Sequence, residues 1–239
     1  MAPIHEYAKH GDVAHIRELL HHNAPQQVLL RNADSMTPLM VAVHYQQGDA
    51  MRALLEHIPN TQVMMTHLVQ EIQEIPDTKY MIFVSDQIEG VIPLMVAAVM
   101  NFVDGVDILL DHIPHEQVTT IAQDWNALMY AAFEDSKAGM EALLRFEADE
   151  QMAYADDVER TALTVAAWKS NYDCVRLLIE AESPWKGLED NHLDYVESVV
   201  YDMQSEMKAT IAEQKARIAE LEAVPAALRQ AVVEFAHAV

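Results

Sequence analysis

The sequence is rich in groups that could do chemistry: twelve histidines and 38 carboxylates stand beside a single cysteine. The most suggestive run is His5-Glu6-Tyr7-Ala8-Lys9-His10, which contains the residue types of a His-Glu-x-x-His zinc site. The spacing defeats it, because residues five apart on an α-helix are rotated by about 140° and cannot share an ion as an i, i+4 pair does. His22, His57 and His112 recur at one place, each just after a pair of leucines. Near a helix C-terminus the dipole favours a partly protonated imidazole, so these three read as capping residues encoded by a repeat. His112 and His115 are close, but Pro114 places them in a turn with no thiol nearby. Six glycines are scattered singly, so no loop can cradle a phosphate, and no nucleophile-elbow, kinase or deaminase signature is present. Asp156-Asp157 reads as a solvated hairpin tip. The sequence therefore assigns no catalytic residue, no cofactor and no metal, and the chain reads as a non-enzyme.

The elements that carry these residues repeat. Four segments share one phrase: Thr37-Pro38-Leu39-Met40-Val41-Ala42, Ile92-Pro93-Leu94-Met95-Val96-Ala97-Ala98, Asn126-Ala127-Leu128-Met129-Tyr130-Ala131-Ala132 and Thr161-Ala162-Leu163-Thr164-Val165-Ala166-Ala167. Each is followed 16 or 17 residues after its first residue by paired leucines, Leu54-Leu55, Leu109-Leu110, Leu143-Leu144 and Leu177-Leu178. Leu19-Leu20, aligned the same way, puts a first unit at Ala2, so units start at 2, 37, 92, 126 and 161, with spacings of 35, 55, 34 and 35. A third phrase echoes after the leucines, as in Ile58-Pro59-Asn60-Thr61-Gln62-Val63 and Ile113-Pro114-His115-Glu116-Gln117-Val118. Repetition at such a period marks a stacked array.

The repeated residues have physical roles. Thr37, Thr161 and Asn126 can each cap a helix, and Pro38 suits the first helical turn, where its missing N–H costs nothing. The alanine pair lets a second helix approach closely, and the leucines supply that helix's buried stripe. Neither helix can bury its apolar face alone, so neighbouring units must stack.

From about residue 2 to 187 this pattern resembles the ankyrin repeat, with its Thr-Pro-Leu-His-x-Ala-Ala phrase and later Val-Val-x-Leu-Leu-Leu run. The Leu-Met phrases resemble those of large ankyrin arrays in certain protists. The resemblance implies an all-α solenoid of about five helix–turn–helix units. Met40, Met95 and Met129 depart from the motif's histidine, and only Gly11 keeps the glycine between the helices. Cys174 aligns with a buried valine of the motif and reads as a small core residue.

Three regions differ from the repeat. The first unit has a polar leading helix (His5, Glu6, Lys9, His10), as expected of a solvent-facing terminal cap. An insertion spans about 64–90, where Met65, Leu68, Val69, Ile72 and Ile75 fall at helical spacing and Tyr80-Met81-Ile82-Phe83-Val84 reads as extended. Residues 188–239 form a separate helical extension. Its heptad seams, Leu193-Val200-Met207-Gln214-Leu221 and Glu197-Gln204-Ile211-Ile218, suit either a cover for the last unit or a self-associating coiled coil.

In ankyrin arrays, partners usually meet the hairpin tips and the two residues after the alanine pair. Here those two residues read His44-Tyr45, Val99-Met100, Phe133-Glu134 and Trp168-Lys169. Bulky apolar groups at positions that normally face solvent imply a covered surface. The expected binding strip is Tyr45, Met100, Trp125, Phe133 and Trp168, edged by Glu89, Asp124 and Glu134. Charge indicates the partner's character. The chain carries −23 overall, and residues 37–134 hold two basic against thirteen acidic side chains. Such a surface disfavours nucleic acid and anionic membrane and suits a protein with a basic patch. The expected function is therefore a protein-interaction adaptor in the cytoplasm. The alternative is an assembly protein that forms homo-oligomers through its C-terminal helix.

Overall fold

The computed structural model describes residues 3–68 and 89–181, together with the helical positions 201, 205, 212 and 215. Two compact units divide the chain, Met1–Leu193 and Asp194–Val239. In the second unit the described residues Tyr201, Ser205, Ala212 and Lys215 are helical and exposed. The expected heptad seams fall outside the described residues, as do most of the insertion and the domain boundary expected at 187/188.

The first unit is an all-α solenoid. Five leading helices, α1 (Pro3–His10), α3 (Pro38–His44), α6 (Pro93–Val99), α9 (Ala127–Phe133) and α12 (Ala162–Trp168), each pack on the next. Five second helices, α2 (Val13–Val28), α4 (Gly48–Leu55), α7 (Val103–Leu110), α10 (Lys137–Leu143) and α13 (Tyr172–Glu180), stack beside them in the same order. Helices α3 and α6 pack directly despite the 55-residue spacing, so the insertion leaves the array continuous.

The leading helices start where the sequence places their caps. Thr37 Oγ1 accepts from Met40 N at 3.2 Å and Asn126 Oδ1 from Met129 N at 2.9 Å. Thr161 and Thr164 form a reciprocal capping box. Six consecutive residues from Pro38 to Val43 are buried, because the short helix is packed between its neighbours and its partner helix. Small residues are required where helices approach most closely. A Cβ on Gly139 would meet Ala98 O at 1.9 Å, so α10 needs glycine to pass over the end of α6. After each leading helix the chain turns through a left-handed residue. Gly11, Gln46, Asn101, Asp135 and Ser170 all have φ between 54° and 69° at the same place in their units. Glycine is thus conserved in conformation but not in identity; polar side chains replace it at four positions.

A short third helix closes three of the units: α5 (Pro59–Val63), α8 (Pro114–Val118) and α11 (Ala148–Ala153). Its buried glutamine performs the capping expected of the histidines. The amide of Gln62 donates to Leu54 O and His57 O at 2.7 and 2.5 Å, and that of Gln117 to Leu109 O and His112 O at 2.7 and 2.5 Å. Gln151 does the same to Leu143 O and Phe146 O at 2.9 and 2.6 Å. His57 and His112 supply backbone carbonyls to this cap. A buried amide reaches two orphan carbonyls at once, whereas the His22 side chain is exposed to water and those of His57 and His112 are half-exposed.

Two further expectations are corrected. The first helix is not wholly solvent-facing, since His5 is fully buried. Its Nε2–H is shared between Leu30 O and Met36 O at 3.2 and 3.1 Å, which ties the loop before the second unit to α1. The insertion does not begin as a helix at Met65. Instead β1 (His67–Leu68) pairs antiparallel with β2 (Glu89–Val91), so it enters and leaves through a two-stranded ribbon. Backbone pairing at the base takes Leu68 into a strand, while Val69, Ile72 and Ile75 lie outside the described residues.

Candidate functional site

The expected binding residues occupy three structural places. Tyr45, Met100 and Glu134 are the C-cap residues of α3, α6 and α9, while Phe133 and Trp168 end α9 and α12. Glu89 opens β2. Asp124 and Trp125 belong to a tight hairpin, in which Ala122 and Trp125 exchange backbone hydrogen bonds at 2.9 and 3.0 Å. Gln123 and Asp124 between them have φ of 45° and 65°, the two positive values a type I′ turn requires.

The structure brings three of the five apolar residues into ring contact. Trp125 and Phe133 lie 5.4 Å apart between centroids, and Phe133 and Trp168 lie 6.0 Å apart. The rings are tilted at 55° and 49°, within the range where aromatic pairs attract. Trp168 is 56 % exposed; Trp125 and Phe133 are half-buried. Tyr45 is exposed and packs edge-on against His44 at 5.0 Å, apart from this trio. Met100 is half-buried and joins no ring contact. Its neighbour Val99, expected at a solvent-facing position, is fully buried, and its carbonyl accepts from Ser136 Oγ.

Trp125 is anchored by a carboxylate that the sequence reading placed in solvent. The Asp156 side chain is fully buried and accepts from Trp125 Nε1 at 3.2 Å and Arg160 Nε at 2.6 Å. It also accepts from the backbone N–H of Val158 and Arg160 at 3.1 and 2.8 Å. Burial alone would raise its pKa; hydrogen bonds from Arg160 and Trp125 outweigh that and hold the carboxyl below its ordinary value. Asp157 alone fits the solvated-tip reading. Asn32 holds the same place in the second unit and braces its loop through Asp34 N and Met36 N at 3.0 and 2.9 Å. That correspondence, five residues before each helix cap, is the signal in the sequence that would have identified Asp156.

Cations lie over the rings of the row. Lys9 Nζ sits 5.0 Å from the Tyr45 centroid, Arg160 Cζ 5.5 Å from Trp125, and Lys169 Nζ 4.2 Å from Phe133. Beneath the row, burial first and the Asp124 charge second push the Tyr130 phenol up to about 12, so it stays protonated and donates to Ala122 O at 2.8 Å. Burial likewise lowers the pKa of His44, which favours the neutral ring beside Tyr45.

Residues 94–187 match the family model described as ankyrin repeats, in three copies. This stretch is an array of ankyrin repeats. The units at 2 and 37 lie before the matched stretch and continue the same helix stack. No curated protein matches the chain. Ankyrin repeats are generally protein–protein interaction modules, and the family is typically non-enzymatic. Among the described residues, no helix is long and apolar enough to cross a membrane.

Among the described residues, one cluster has metal-ligand chemistry. His115 Nδ1 lies 2.8 Å from Glu147 and 3.9 Å from Glu150, and the three donor atoms fall within 4.8 Å of one another. All three residues are exposed. The hydrogen bond that His115 donates to Glu147 and the Glu147 charge, with smaller help from Glu150 and Glu116, raise the His115 pKa and favour the protonated ring in this bridge between neighbouring repeats. Cys174 is buried against Asp135, and burial foremost pushes its thiol pKa up, which suits a core residue and not a nucleophile.

Proposed function

We infer that the chain is an adaptor that receives a protein partner bearing a basic patch. The partner covers Tyr45, Met100, Trp125, Phe133 and Trp168, with Glu89, Asp124 and Glu134 along the edge. One observation carries the reading: an aromatic row runs from Trp125 through Phe133 to a Trp168 that is 56 % exposed. An indole left in water on a surface built from otherwise buried leading helices is the residue type that dominates binding hot spots. The net charge of −23 supports a basic partner over an acidic one. A single cysteine, buried as a thiol, fits the reducing cytoplasm.

The test is affinity capture with wild-type chain and two variants as bait. Trp168→Ala should remove the specific partner, weakening association by about 2 kcal/mol or more. Asp124→Lys should slow association, with an effect that shrinks as salt rises. A captured set unaltered by Trp168→Ala would overturn the strip as the binding face. Native mass gives a separate check, since assembly through the C-terminal extension would exceed the 26.9 kDa of one chain.

A further inference from the structure

We propose that Phe133 and Trp168 form a cation-binding notch that Lys169 fills in the free chain and that a lysine or arginine of the partner enters by displacing it. This rests on the strip being the binding face and specifies what its exposed end recognises. The two rings stand 6.0 Å apart at 49°, and Lys169 Nζ lies 4.2 Å from one centroid and 5.9 Å from the other. Both distances are within the roughly 6 Å over which a ring quadrupole attracts a cation. Lys169 thus acts as a built-in stand-in for the ligand, an ammonium seated on the faces a partner's ammonium would use.

The other cations of the row serve differently. Arg160 lies over Trp125, but Asp156 pins it at 2.6 Å, so it is part of the scaffold. Among the described residues, no ion pair engages Lys169, which is exposed and held through the rings. An exposed cation–π contact is weak, so its release costs little and a better-placed cation can take over. The charge around the notch selects the sign of the occupant. Glu134 and Asp135 follow Phe133 directly, and a carboxylate approaching Lys169 would also face a chain of net charge −23. A second cation meets the same field as attraction.

The experiment uses the full chain and N-acetyl hexalysine amide, with binding measured by calorimetry at low salt. Lys169→Gln should bind the peptide about threefold more tightly, because the resident competitor is gone. Lys137→Gln removes the same charge from an exposed lysine off the row and should give a clearly smaller gain. In a Phe133→Ala background the extra gain from Lys169→Gln should vanish. If Lys169→Gln binds no more tightly than Lys137→Gln, or its gain survives Phe133→Ala, the notch is wrong. Peptide binding that Trp168→Ala still weakens in that case leaves the strip standing. Binding indifferent to Trp168→Ala removes the strip and the notch together.

Discussion

The back edge of the array and its front row obey different rules. At the back, Gln62, Gln117 and Gln151 each donate one amide to two helix-end carbonyls, eight and five residues upstream, with nearly the same distances. At the front, the matching places hold His44, Val99, Phe133 and Trp168, whose exposure runs from none at Val99 to 56 % at Trp168. In these three units the orphan carbonyls recur at the same places and receive the same solution. The front positions answer to no such demand, so their side chains are free to suit what they meet. Uniformity marks what stacking needs, and variation marks where recognition can sit.

The sharpest break in that comparison lies where the front row becomes structural. Asp156→Ala should destabilise the protein by about 2 to 3 kcal/mol, since the Trp125 indole N–H and the backbone N–H groups of Val158 and Arg160 lose their acceptor. Chemical denaturation measures the loss, and a red-shifted Trp125 emission should accompany it; unchanged stability would mean that Asp156 anchors nothing. Its depressed pKa gives the sign of the pH effect. The contribution is present above about pH 4, the unfolded value, and disappears as pH falls through the lower folded value.

The two tryptophans of the row should then part company. Trp125→Ala is expected to cost about 2 kcal/mol, because it removes a half-buried ring packed on Tyr130 and Phe133. Trp168→Ala should cost about 0.5 kcal/mol or less. Equal losses from the two would place Trp168 in the core and end its candidacy as a binding residue.

The back edge makes the opposite forecast of sameness. Gln62→Ala and Gln117→Ala should each cost about 1 to 2 kcal/mol and agree within about 0.5 kcal/mol. A large disparity would show that the insertion following Gln62 changes the local requirement.

The smallest effect belongs to the His115 bridge, which is exposed and screened. Because its folded pKa is raised, its contribution is full below about pH 6.5 and is lost as pH rises through the folded value. The melting-temperature difference between wild type and His115→Gln should therefore narrow from pH 5.5 to pH 8.5. A constant difference would assign the bridge no charge.

Much of this was legible in the sequence. Thr37-Pro38, Asn126 and Thr161 announce helix starts through local chemistry, and the leucine pairs announce the second helices through periodicity. Both signals act within a few residues along one chain, so no tertiary information is needed to read them. Repetition adds the stacking, because amphipathic units of fixed register have one way to bury their faces. Tertiary structure alone decided which groups meet across units. His5 stands where the repeat motif expects histidine, yet it read as a polar surface residue until two carbonyls, 25 and 31 residues away, were placed around it. Asp156 read as a solvated tip until Trp125 arrived from the preceding hairpin. Lys169 followed Trp168 in the sequence without comment until the Phe133 ring came under its ammonium. In each case the partner lies a repeat or so away, and burial, charge and ring contact depend on that distance in space, which composition and spacing do not contain.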